Sequence, residues 1–135
     1  MTLLTWSHEC SVGVAAIDDQ HGILMDTLNE LRVMLVNGRD RREICEQFDR
    51  LIEFTKMHFH SEEQLLEQQG FPGLTEHRAA HQHLLNQIQS RLDHARHTVD
   101  IELRPLLHFL RTWYIDHIES LDQQYGHWLN ARGVY

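Results

Sequence analysis

Apolar side chains recur along this chain in alternating steps of four and three, and several polar residues stand in the same register. Ile17, His21, Leu24, Leu28, Leu31 and Leu35 follow that step, so they share one face of a helix packed in a bundle. A second stripe runs through Ile44, Phe48, Leu51, Thr55, His58, Glu62 and Leu65, then stops at Gly70-Phe71-Pro72-Gly73, a breaker that forces a tight reversal. Leu74, His77, His81, Leu84, Ile88 and Leu92 make a third stripe. Leu103, Leu106, Leu110, Trp113, His117, Leu121, Tyr125 and Trp128 make a fourth. The predicted helices span about 18–37, 41–69, 74–95 and 102–131. Asp18 or Asp19 would cap the first, Asn37-Gly38 would end it, and Pro105 belongs in the first turn of the last. Residues 1–17 lack a helical period and read as an extended arm over the bundle, pinned by Trp6 and Val12. Four amphipathic helices with short connections predict an all-α, up-down-up-down four-helix bundle. A chain of 135 residues makes one such domain around one core.

The polar residues on the stripes are His21, His58, Glu62, His77, His81, His117 and Asp122, and every helix contributes at least one. His58 and Glu62 are four apart, as are His77 and His81, so each pair lies on one helix face roughly 6 Å apart along the axis. His117 and Asp122 are five apart, which turns one roughly 140° from the other and predicts that they straddle the buried stripe. Unpaired buried imidazoles and carboxylates each cost on the order of 1 to 3 kcal/mol or more. A single histidine on an apolar stripe is commonly a hydrogen-bonded core residue. Seven polar groups at the middle of one bundle would oppose folding unless coordination bonds satisfied them. One zinc ion wants about four ligands, too few for this set. Two octahedral metal ions suit it better: the histidines, two bridging carboxylates and a bridging oxygen leave one position open, a pattern that suits iron or manganese.

The other histidines act as an internal control. His60 and His83 follow ligand candidates by two residues and point away from them. His8, His94, His97 and His127 lie in the arm or near helix ends, and His108 is off its stripe. None is assigned to the cluster. Hydrophobic residues make up 41% of the chain and charged residues 24%, as in ordinary soluble domains. The net charge of −8 disfavours nucleic acid and anionic membrane as partners. Met1 to Cys10 contain neither a basic leader nor a long apolar run, so no signal peptide or membrane span is expected and the cytoplasm is the expected compartment. Cys10 and Cys45 lack metal or redox spacing and read as free thiols.

In order and spacing these residues resemble the hemerythrin family, specifically its single-domain bacterial members. The resemblance rests on Trp6 with Val12-Gly13 and Ile17-Asp18-Asp19-Gln20-His21, and on His58-Phe59-His60-Ser61-Glu62-Glu63. It continues through Gly70-Phe71-Pro72-Gly73 with His77-x-x-x-His81, and through Trp113-x-x-x-His117-Ile118-x-x-x-Asp122-x-x-Tyr125. It implies two iron ions bridged by an oxo or hydroxo group: His77, His81 and His117 on one iron, His21 and His58 on the other, Glu62 and Asp122 between them. It also implies dioxygen at the open position of the two-histidine iron, with Phe59, Trp113 and Ile118 as candidate pocket residues. Tyr114 departs from the family, where leucine is common. Its phenol could donate a hydrogen bond into the pocket or open a proton route, or simply pack with its hydroxyl at the surface.

The expected function is therefore reversible dioxygen binding for storage, delivery or buffering, by a monomer that is not an enzyme and that passes oxygen to an unidentified accepting partner. Two other functions compete with it. One is a di-iron oxidoreductase acting on peroxide or nitric oxide, although the sequence has no Glu-x-x-His pair of the kind oxygen-activating bundles use. The other is an oxygen or redox sensor module.

Overall fold

The computed structural model describes residues 4–97 and 103–135. A short 3-10 turn, His8–Cys10, precedes α1 (Ala15–Val36), α2 (Arg41–Gln69) and α3 (Leu74–His97). The fourth rod has three parts: α4 (Arg104–Asp116), a π-helical segment (His117–Asp122) and α5 (Gln123–Asn130). Contacts run from α1 to α2, α2 to α3, α3 to α4 and α4 back to α1, closing a four-sided bundle. None of the described helices is long and apolar enough to cross a membrane.

The stripes become the core. Leu24, Leu28, Leu31, Phe48, Leu51, Leu84, Ile88, Leu92, Leu106 and Leu110 are all buried, each contributing on the order of 1.5 to 3 kcal/mol by leaving water. Thr55 fits among them because its hydroxyl donates to the Leu51 carbonyl at 2.7 Å, which leaves no unpaired polar atom. Gly70 ends α2 with φ +71, and Phe71 N–H returns to Leu66 O at 2.9 Å, a turn that a residue without Cβ closes at least cost. The proposed start of the last helix near 102 lies outside the described residues; α4 begins at Arg104 with Pro105 in its first turn.

Several expectations need correction. The first helix begins at Ala15 with Val14 as an N-cap that makes no side-chain bond, so neither Asp18 nor Asp19 caps it. Asp18 lies in the first turn and ties down the arm, accepting from Ser11 Oγ at 2.6 Å and from Val12 N–H at 2.8 Å. Trp6 does not pin the arm, being 41% exposed; Leu4, Cys10, Val12 and Val14 are the buried anchors. The arm crosses the last helix at Gly126, where any Cβ would collide with the Val12 carbonyl. Leu121 also leaves its predicted stripe and is 37% exposed, because the π-helical segment inserts one residue and turns it outward.

Candidate metal centre

All seven polar stripe residues are 5% exposed or less and meet at the middle of the bundle. The other seven histidines are all exposed. Three sets of ligand atoms gather within 4.8 Å of one another: His77 with His81 and His117; His21 with His58 and Glu62; and Glu62 with His77 and Asp122. Ordinary helical spacing explains two contributions. His58 and Glu62, one turn apart, bring Nε2 to 2.8 Å from Oε2, and the rings of His77 and His81 lie 4.4 Å apart.

The third contribution needs a different ladder. His117 and Asp122 do not straddle the stripe; the π-helical segment begins at one and ends at the other, and His117 Nε2 lies 3.1 Å from Asp122 Oδ1. A π-turn closes over five residues where an α-turn closes over four, so residues five apart come onto one face.

Asp122 divides its two oxygens. Oδ1 faces His117 and, at 3.4 Å, His77. Oδ2 faces His21 at 3.2 Å. Glu62 also spans the cluster, with Oε1 at 3.8 Å from His77, and Oε2 near His58 and at 3.8 Å from His81. Tyr125, itself buried, donates its hydroxyl to Glu62 Oε1 at 2.5 Å.

Electrostatics couples these groups. Burial alone would keep the carboxylates protonated, but His58 and His77 hold Glu62 well below the ordinary range, and His117 and His21 lower Asp122. Burial likewise opposes charge on His21 and His77, yet the facing carboxylates leave both raised. His81 goes the other way, lowered by burial and by its neighbours His77 and His117 to about 4. Without a bound ion, Nε2 of His21, His77, His81 and His117, both oxygens of Asp122, Glu62 Oε2 and His21 Nδ1 lack hydrogen-bond partners. Orphaned atoms in such a concentration are rare in native interiors. With the exception of His21 Nδ1, they are lone-pair donors facing a shared centre, and borderline cations of the first transition row fit that donor set.

The pocket candidates separate into two pairs. Phe59 stacks on the His81 ring at 3.6 Å and Trp113 on His117 at 4.8 Å, so both pack against the three-histidine group. Tyr114 and Ile118 instead line a cavity of about 290 Å³ with Met25, Cys10 and Leu4, beneath the arm. The Tyr114 hydroxyl is not at the surface: it is buried and donates to the His21 carbonyl at 2.8 Å. Sequence reasoning gave no role to Gln20 or Glu63 and placed Tyr125 only on the helix stripe, although all three stand in the quoted motifs. Their signal was proximity, since Gln20 precedes His21, Glu63 follows Glu62 and Tyr125 lies one turn beyond Asp122. Gln20 Oε1 meets His58 Nδ1 at 2.6 Å and Glu63 Oε2 meets His81 Nδ1 at 3.0 Å.

Comparison with known proteins agrees with this architecture. A family model described as the hemerythrin HHE cation binding domain matches residues 12–129. Bacteriohemerythrin of Methylococcus capsulatus is 34% identical over 133 residues, covering 97% of this chain and all of that protein. Bacteriohemerythrin of Stenotrophomonas maltophilia is 31% identical, covering 97% of this chain and 84% of that one. A solved wild-type hemerythrin superimposes with a TM-score of 0.83 at 33% identity, over 92% of this chain and 95% of its own.

Proposed function

The chain belongs to the hemerythrin family, and on that footing we propose that it binds dioxygen reversibly at a non-haem di-iron centre, for storage, delivery or buffering. In this reading His77, His81 and His117 would hold one iron, His21 and His58 would hold the other, and Glu62 and Asp122 would serve both. The observation that carries it is the divided carboxylate of Asp122, with Oδ1 towards His77 and His117 and Oδ2 towards His21. Such a group serves two metal ions, one on each oxygen; a single ion would leave one oxygen or one set of histidines without a partner.

A bound iron pair supplies the reversible two-electron chemistry on which dioxygen binding draws. The chain's own residues hold, orient and dry the site. Tyr125 fixes one oxygen of Glu62, and Gln20 fixes the ring of His58. Phe59 and Ile118, 2% and 1% exposed, are apolar groups that would help to exclude water. Excluding water matters because a dry, apolar surround keeps stray protons away from the site. The imidazole-rich donor set supports binding over turnover.

The test is direct. Protein loaded with ferrous iron should contain about two iron atoms per chain and give a repeatable visible absorption change when cycled between air and nitrogen. Irreversible oxidation at the first exposure would overturn the reading. His117→Ala should lose at least one iron and melt at lower temperature, since metal binding is coupled to folding; full iron occupancy in that variant would refute the ligand assignment.

A further inference from the structure

The outward-facing nitrogens of the histidines meet unequal surroundings. His81 Nδ1 lies 3.0 Å from a carboxylate oxygen of Glu63. The other Glu63 oxygen accepts from Arg78 Nε at 3.2 Å, and Arg78 Nη2 reaches Glu67 at 3.2 Å, so a half-exposed guanidinium anchors Glu63 from the surface. His58 Nδ1 meets only the neutral amide of Gln20, and His21 Nδ1 is buried without a partner. The three-histidine group therefore receives a full negative charge through one of its rings. The two-histidine group receives a dipole on one ring and no hydrogen-bond acceptor on the other.

A carboxylate that accepts an imidazole N–H fixes the ring's orientation and makes its opposite nitrogen a stronger donor. Orientation alone does not require charge, because Gln20 supplies an acceptor to His58 without any. We propose that Glu63 is a positioning residue that acts through His81, raising the donor strength of Nε2 so that the two metal positions are built unequal. The three-histidine position then favours the more highly charged ion. The inference rests on the di-iron reading above and adds to it a chemical difference between the two metals.

The test compares iron-loaded wild type with Glu63→Gln, Gln20→Glu and Glu67→Gln, reading iron content, iron affinity against a chelator and midpoint potential in an anaerobic redox titration. Glu63→Gln keeps an acceptor but removes the charge. It should weaken iron binding by about tenfold or more and raise the potential, because a poorer donor stabilises the ferric state less. Gln20→Glu, on a different helix, should lower the potential. Glu67→Gln removes an equal charge one turn from Glu63 without touching His81, and should move the potential much less. A Glu63→Gln potential equal to wild type, or a shift in the same direction for Glu63→Gln and Gln20→Glu as loosened packing would give, overturns the proposal. If Glu63→Gln does not fold, the Gln20→Glu shift decides alone, downward in support and otherwise against. Wild type that fails to hold two irons would instead overturn the di-iron reading itself.

Discussion

Tyr114 ties the last rod to α1 through one buried hydrogen bond. Its ring is buried and its hydroxyl donates to the main chain of His21, so it braces the backbone beneath a cluster residue without entering the cluster. Burial raises its pKa above the ordinary phenol value, which keeps it a protonated donor throughout the physiological range. Tyr114→Phe retains the ring and removes one bond from a carbonyl that also lies within the α1 ladder. The expected cost is about 1 kcal/mol, measured by chemical denaturation of the metal-free protein. A loss several times larger would mean that the hydroxyl organises the site as well as bracing it.

At the level of elements, the π-helical segment is the feature that the periodicity hides. The stripes of α1, α2 and α3 were legible because each keeps one period, and their buried residues follow the predicted positions closely. The stripe of the last rod reads correctly up to His117 and then fails at Leu121, since a fixed step cannot register a single inserted residue. The five-residue gap between His117 and Asp122 was the visible sign of it, and read on an α-helical wheel it predicted the wrong geometry. Deleting the exposed Ser120 should restore an i to i+4 ladder while leaving Asp122 and Tyr125 in register. That variant is expected to fold and retain iron. Deleting the exposed Thr112 upstream turns His117 by roughly 100° relative to the N-terminal half of α4 and should lose iron. Equal iron content in the two deletions would show that the segment is not a simple insertion.

For the whole molecule, the buried cluster makes metal-free stability depend on pH from both sides. His81 is lowered to about 4 in the folded chain, so between pH 6.5 and 4 the unfolded chain takes a proton that the folded one refuses, at a cost of about 3 kcal/mol. Glu62 and Asp122, both lowered, withdraw further support in acid. His21 and His77 are raised, so their contribution is complete below 6.5 and fades as pH climbs through their folded values. Stripped protein should therefore melt at its highest temperature near pH 6.5. Iron-loaded protein should hold its melting temperature further into alkali, because coordinated imidazoles need no proton. A monotonic profile for the stripped protein would contradict these directions.

The arm is tied to the bundle along its described length. Leu4 exchanges two hydrogen bonds with the Asn29 side chain, Ser11 O accepts from Gln123 and Gly13 O from Asn130, while Val12 N–H is held by Asp18. This stretch is thus wired to the bundle much as an edge strand is to a sheet, with borrowed amide and carboxylate groups in place of a neighbouring backbone. A protease needs an unpaired, extended backbone to bind, and this stretch would meet it with those groups already engaged.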